Sequence, residues 1–337
     1  MPPGILAHMR RGGVLAAALA AAGCGSLPAY RTPKAAEPAR SPALAEPPAG
    51  RVVQVGAGPE GVAADPRSGR VAVALHEPPT LALLRASDGA VVRRVPLPGA
   101  ARHLQLARPG GPFLVPAETA NQVVEVMPDG TARPPRPTGA QPHDATAAGG
   151  RIFAGDERAD TVTVLGEERF RVARQPGGLA PVEDGRQVAV VSVRDRVIEL
   201  YDARSLRRTA RANAGVGPTH VVSDGRETLY VTDTAGDALL VFRTRPRLEL
   251  TRRVALRTAP YGIALDTRRR RLWVTLTGTN RIVKLWTNGP RTVANLASVR
   301  QPDTVAVDET TGRAFVTGRA DGVLQLLDPA DRRPRTR

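Results

Sequence analysis

Beyond residue 50 the 337-residue chain carries four histidines, His76, His103, His143 and His220. Imidazole titrates near neutral pH and is the commonest metal ligand, so these side chains are the best suited to chemistry. Three of them stand one or two places after a residue that recurs along the chain: Pro59, Ala101, Pro142, Gly178, Pro218, Pro260 and Pro302. The first position after each is Glu60, Arg102, His143, Leu179, Thr219, Tyr261 and Asp303. The second is Gly61, His103, Asp144, Ala180, His220, Gly262 and Thr304. If the recurring residues are equivalent in space, the histidines converge with Glu60, Arg102, Asp144, Tyr261 and Asp303. Such a set can hold a divalent metal or a small anionic ligand, or move protons. Spacing alone selects no metal, because the groups come from distant parts of the chain. Taken singly, each residue is expected to do no more than hydrogen-bond strand ends at a wet surface. Gly-x-Ser-x-Gly, His-Glu-x-x-His and a phosphate-cradling loop are all absent from the sequence.

Convergence needs a repeating scaffold, and the sequence has one. From Gly217 it reads GPTHVVSDGRETLYVTDTAGDALLVF, with related text from Ala259 and from Gln301. The apolar runs are short, rich in β-branched and aromatic residues, and punctuated by turn residues, which is strand patterning. A second register runs through the apolar centre of each second strand: Ala72, Leu114, Phe153, Val190, Tyr230, Trp273 and Phe315. A third opens each third strand: Asn121, Asp160, Asp195, Asp237, Asn280 and Asp321. There an Asx side chain is predicted to bond the backbone two residues on and fix the hairpin. Seven copies of about 40 residues with four short strands each predict an all-β, seven-bladed β-propeller. Its innermost strands start at one mouth of the central channel, and the loops after the second strands lie at the same mouth. His76, Glu118, Asp156 and Asp233 fall in or beside those loops, so every histidine past residue 50 is expected at one end. The Pro-rich run at 133–137 predicts a short or lost fourth strand in blade 2, and the spacing predicts a trimmed blade 3. The strand at 51–56 is predicted to complete blade 7 and close the ring.

Tyr230-Val231-Thr232-Asp233 resembles the motif for which YVTN-type β-propeller repeats are named, and Trp273-Val274-Thr275 and Phe315-Val316-Thr317 are weaker copies. The resemblance runs over roughly residues 51 to 328. It implies a propeller among envelope and surface proteins, most of them without an assigned role. NHL-type propellers and streptogramin lyases carry similar repeats. Pro142-His143-Asp144 resembles the Pro-His-Gly that opens blades in streptogramin lyases, which pair such a histidine with a glutamate just after a second strand. On that pattern the partner belongs in the blade-6 loop Thr275-Leu276-Thr277, which has no acid, so His143 is expected to lack one.

The chain ends carry other signals. Residues 1–23 have a basic start, a short apolar run and a small-residue end, as a secretory signal does; Met9 is an alternative start to Met1. Ala21-Ala22-Gly23-Cys24 resembles a bacterial lipobox, and Cys24 is the only cysteine, which implies a lipid attachment point. Residues 24–50 are Pro- and Ala-rich and are predicted to be a disordered tether, followed by the propeller at 51–329 and a basic tail at 330–337.

Formal charge is +16, and Lys34 and Lys284 are the only lysines. Arginine abundance alongside Ala, Gly and Pro is what GC-rich codon usage produces. The alternative is a surface for an anionic envelope polymer, with Arg268–Arg271 as its densest run. Aromatic residues make up only 3%, and no nucleic-acid motif is present, which argues against nucleic acid as a partner. The expected protein is a lipid-anchored, extracytoplasmic, monomeric propeller that binds a small ligand or partner at its channel mouth without catalysis or a cofactor. The alternative is a metal-assisted lyase, lactonase or hydrolase using His143, His103, His220, Glu60 and Asp303 with a divalent metal. Distances among the four histidines separate the two readings.

Overall fold

Short apolar runs between tight turns pair with their immediate neighbours, because a two-to-five-residue turn leaves antiparallel pairing as the nearest way to satisfy backbone groups. In the computed structural model, which describes residues 35–331, this produces seven antiparallel sheets of four strands each. The stretch expected to be a secretory signal, Cys24 and most of the basic tail lie outside the described residues. In six sheets the strands follow chain order from the inside outwards. The seventh runs Pro302–Asp308, Arg313–Gly318 and Val323–Leu327, and its outer strand is Arg51–Gln54 from the start of the propeller. Val53 lies opposite Leu324 in that pair, so the ring closes as the sequence predicts.

The seven second-strand residues read as core are all buried, and the cores lie between neighbouring blades. Blade 2 ends in a two-residue strand, Arg136–Pro137, as its prolines predict; blade 3 ends in three residues, Arg169–Arg171. Among Arg268–Arg271, Arg269 bonds Asp266 and the carbonyls of Glu309 and Thr310 in blade 7, and Arg271 stacks on Trp286. Two of the four arginines are therefore spent inside the molecule.

The Asx residues do something other than the predicted hairpin turn. Asn121, Asp160, Asp237 and Asn280 adopt left-handed φ values of 49–55°, which Asn and Asp tolerate best after Gly. Their side chains accept from the backbone N–H of Gln141, Gln175, Ala259 and Gln301, each the residue just before the next blade. They latch blade to blade. In blades 4 and 7 the left-handed residue is one place later, Arg196 and Gly322. Asn280 tests this latch. We expect Asn280→Gly, which keeps the backbone shape and loses only side-chain bonds, to cost about 1 kcal/mol in denaturant unfolding. Asn280→Ala adds left-handed strain and should cost roughly 2–3 kcal/mol. A glycine variant as stable as the parent would mean that the side-chain bond is not what matters.

The segment 36–46 departs from the disorder predicted for it. Ala39 N–H donates to Thr277 Oγ1, Ser41 N–H donates to Gln301 Oε1, Ser41 Oγ donates to the Thr277 carbonyl, and Asn280 Nδ2 donates to the Pro42 carbonyl. Arg281 pairs with Glu46. Residues 36–46 form a strap across the upper mouth of blades 6 and 7. Polar contacts to loop side chains hold it, and composition does not reveal those.

Candidate functional site

In blades 1, 3, 5, 6 and 7 a β-bulge places the site residues, whereas Arg102 and His103 lie on the stretch leading into the strand Gln105–Leu106. In blade 3, Pro142 pairs with Asp156 and Asp144 with Gly155, so His143 is extra. In blade 5, Thr219 and His220 together oppose Thr232; Tyr261-Gly262 and Asp303-Thr304 repeat this in blades 6 and 7. A bulge re-aims side chains that would otherwise alternate. Here it splits the two rings read from the sequence. Arg102, His143, Thr219 and Tyr261 of the first ring line a small upper chamber. His103, Asp144, His220, Gly262 and Thr304 of the second ring line the channel below. Threonines of the Val-Thr repeats lock the arrangement, since Thr232 donates to the Tyr261 carbonyl and Thr317 to the Glu60 carbonyl.

Blade 4 corrects the expected register. Its innermost strand starts at Pro176, so Gly177 and Gly178 hold the ring positions assigned to Leu179 and Ala180. Gln precedes Pro at 141–142, 175–176 and 301–302, and that dipeptide was the usable signal.

Three histidines meet where the rings join. His103 Nε2 and His220 Nε2 are 2.9 Å apart. The His103 ring centroid lies 4.6 Å from that of His143 and 4.3 Å from that of His220. One ligand nitrogen from each of the three lies within 4.8 Å of the others. The far side of each ring explains which nitrogen is offered. His220 Nδ1 is 3.1 Å from the Tyr261 carbonyl and must donate to it, leaving Nε2 as a lone pair. His143 Nδ1 is 3.0 Å from Glu118 Oε1 and 3.3 Å from Glu157 Oε2, so Nδ1 donates to the carboxylates and Nε2 is the nitrogen a metal would take by displacing its proton. Without a metal, the short contact is a His103 Nε2–H donating to His220 Nε2. With one, tetrahedral ligand nitrogens sit about 3.3 Å apart at ~2.05 Å from zinc, so the pair needs to open only by a few tenths of an ångström.

Electrostatics separates the three. Burial would lower the His143 pKa, but the hydrogen bonds and charges of Glu118 and Glu157 outweigh it and raise the value to about 10. Burial likewise opposes ionisation of Glu157, yet His143, Gln175 and Arg102 hold its pKa at about 2. His220 is pushed down to about 3 by burial and by the His143 charge, and His103 falls well below its ordinary value for the same reasons. Two neutral imidazoles thus face one that is tied to a carboxylate pair. Carboxylate behind histidine is the arrangement that orients a metal ligand and raises its basicity.

The partner found for His143 overturns the expectation that it has none. In a closed ring the loop after the second strand of one blade overhangs the opening of the next, so Glu118 of blade 2 reaches His143 of blade 3. Glu157 was not foreseen. Asp156, taken as the acid of that loop, accepts instead from Gly139 N–H, Thr161 and Thr163. Asp233 accepts from the N–H groups of Val216, Gly217 and Gly236. His76 pairs with Glu60 at 3.1 Å rather than with the other histidines. Glu60 also lies 3.7 Å from Arg102 and 3.4 Å from Arg319, and these cations with His76 outweigh burial and lower its pKa. Asp303 sits in the same network, 3.8 Å from Arg319. Asp144 has both oxygens engaged, by Gln105 Nε2 and the N–H groups of Leu179 and Ala145; burial nonetheless raises its pKa to about 6.

The two sides of the cluster differ. Above it, Ala36 and Glu37 of the strap complete a chamber of about 10 Å³, room for one water at most. Below it, a cavity of about 400 Å³ runs from His103 and His220 to Pro66, Pro109 and Glu309, in turns after the innermost strands. The channel is closed above and roomy below.

No protein-family model matches the chain, and no curated protein sequence does. Among solved structures it is similar to Kuenenia stuttgartiensis hydrazine synthase, at TM-score 0.72 and 12% identity over 82% of this chain and 97% of that one. It is also similar to virginiamycin B lyase from Staphylococcus aureus, at TM-score 0.67 and 15% identity over 82% and 98% of the two chains. A chain of a mitotic checkpoint complex aligns at TM-score 0.72 and 13% identity over 90% and 98%. Identities this low establish the seven-bladed fold and nothing finer. The fold itself occurs in lyases, in a synthase and in a checkpoint complex alike.

Proposed function

We propose that this protein binds a divalent transition metal through His103, His143 and His220, and uses it to hold a small ligand in the axial channel. The observation that carries this reading is the meeting of three imidazoles from blades 2, 3 and 5, with the Nδ1 atoms of His143 and His220 already engaged. Neutral imidazole selects zinc, copper, nickel or iron over calcium or magnesium. We read the site as a binding centre, since the carboxylates beside it, Glu118, Glu157 and Asp144, are all held by hydrogen bonds or ion pairs. The YVTN-type repeat supports placing the chain among envelope propellers, and Cys24 supports a lipid anchor on the extracytoplasmic face. Metal-assisted hydrolysis or elimination is the second reading, favoured by the fourth coordination position that three histidines leave open.

The test is metal analysis of the purified full-length protein, followed by cobalt substitution. One ion per chain and the intense visible bands of four-coordinate Co²⁺ are expected. A folded protein that takes up no stoichiometric zinc or cobalt would overturn the proposal.

A further inference from the structure

The channel below the histidines has a built chemical character. At its lower end, five residues from five different blades stand partly buried: Ala64, Leu106, Pro181, Leu265 and Val307. Each is on an innermost strand at the corresponding level, and each is apolar; blade 5 has Ser223 at that level, with Val222 one place before it. Partly exposed apolar side chains are ordinary singly, but five around one cavity make a surface that water solvates poorly. Among the described residues, the titratable groups lining the cavity are His103, His220, Asp144 and, at the outer end, Glu309, and no Lys or Arg lines it. In a chain of charge +16, a cation-free cavity is a specific exclusion. The Asp144 carboxylate has both oxygens occupied, so it offers no acceptor. At about 400 Å³ the cavity falls within the ~300–1,000 Å³ typical of small-molecule sites. The strap, with Glu37, blocks approach from above.

We infer that the channel takes a small monocarboxylate with an apolar body, entering from the lower end with its carboxylate on the metal and its chain against the apolar collar. This rests on the metal reading above. With Arg102 above the histidines paired to Glu60 and Glu118, the imidazole-held ion is the positive charge that an anionic head entering from below meets first. The collar then favours a hydrocarbon tail over a second charge, and Glu309 at the rim disfavours a dianion. Selection among such ligands is by length, each buried methylene being worth about 0.8 kcal/mol, or roughly fourfold in affinity.

The experiment is calorimetric titration of zinc-loaded, full-length protein with acetate, butanoate and octanoate. Octanoate is expected to bind at least 50-fold more tightly than acetate, with butanoate between. Leu265→Asp, at a partly exposed collar position, should remove most of that gain while zinc content stays at one per chain and the circular dichroism spectrum stays that of the parent. If zinc binds and octanoate is no tighter than acetate, the ligand assignment is overturned and the metal site stands. If octanoate binds equally well to zinc-free protein, the head-group assignment is overturned. If no zinc is retained, both readings fall together.

Discussion

Replacing His220 with alanine should lower zinc affinity by about 10²–10³-fold. Structural zinc is bound with about 10–16 kcal/mol across four ligands, so one nitrogen is worth roughly 3–4 kcal/mol. His103→Ala and His143→Ala should do the same. The informative contrast is His76→Ala. Its imidazole faces Glu60 and not the cluster, so zinc affinity should stay within about twofold. Glu118→Gln should fall between, with a loss of ~10–100-fold, because it orients His143 without touching the ion. Competition with a chromophoric chelator measures all five, with circular dichroism as the check on folding. If the His220 and His76 variants behave alike, the cluster is not a ligand set.

Asp303→Asn should make the protein more stable at pH 8 than its parent and leave the two nearly equal at pH 4. Burial is the main cause of the raised Asp303 pKa, and the Glu60 charge adds to it; Gln301, Arg319 and Arg102 only partly offset them, and the value sits at about 7. Tyr261 also faces this carboxyl. Asp303 Oδ2 has no hydrogen-bond donor, which is why its nearest cation does not restore the ordinary value. The sign follows from proton counting. Between the unfolded value near 3.8 and about 7, the folded chain keeps a proton that the unfolded chain has released. Stability from this group is therefore complete below pH 4 and is lost as pH rises through 7. About three pKa units correspond to at most ~4 kcal/mol. Asparagine cannot ionise, so the variant lacks this slope, as urea melts at pH 5, 6.5 and 8 should show. A variant less stable than its parent at pH 8 would mean that the ionised Asp303–Arg319 pair is the stabilising species.

The ring was legible because its markers are physical necessities. Phe153, Trp273 and Phe315 fill the space between blades, and an apolar residue at that place in each second strand, Ala72 the smallest, keeps the count. Proline opens every blade but the second, which has Ala101, and keeps the inner register; blade 4 slipped only because Gly177-Gly178 mimics an opening. The cluster was half legible. Position in the ring brought His103, His143 and His220 together, but which way His143 and His220 pointed depended on bulges that sequence does not display, and His103 precedes its strand. Those bulges divided one apparent mouth into a closed chamber and an open channel. Glu157 was missed by one residue, because Asp156 and Glu157 are equally plausible acids until backbone direction is known. The strap was illegible for another reason. It buries little apolar area, and the Gln301, Thr277 and Asn280 groups that hold it lie more than 230 residues away.

The strand Arg51–Gln54 waits for Val323–Leu327, its partner in the sheet. A ribosome delivers the first of those stretches before the other six blades and the second after them. Those six blades can pair as they emerge, but the ring stays an arc with two raw edges until the last strand is free. A message truncated before residue 323 would therefore yield an open, adhesive arc, and any machinery that handles the nascent chain must shield those edges while the blades between them are made.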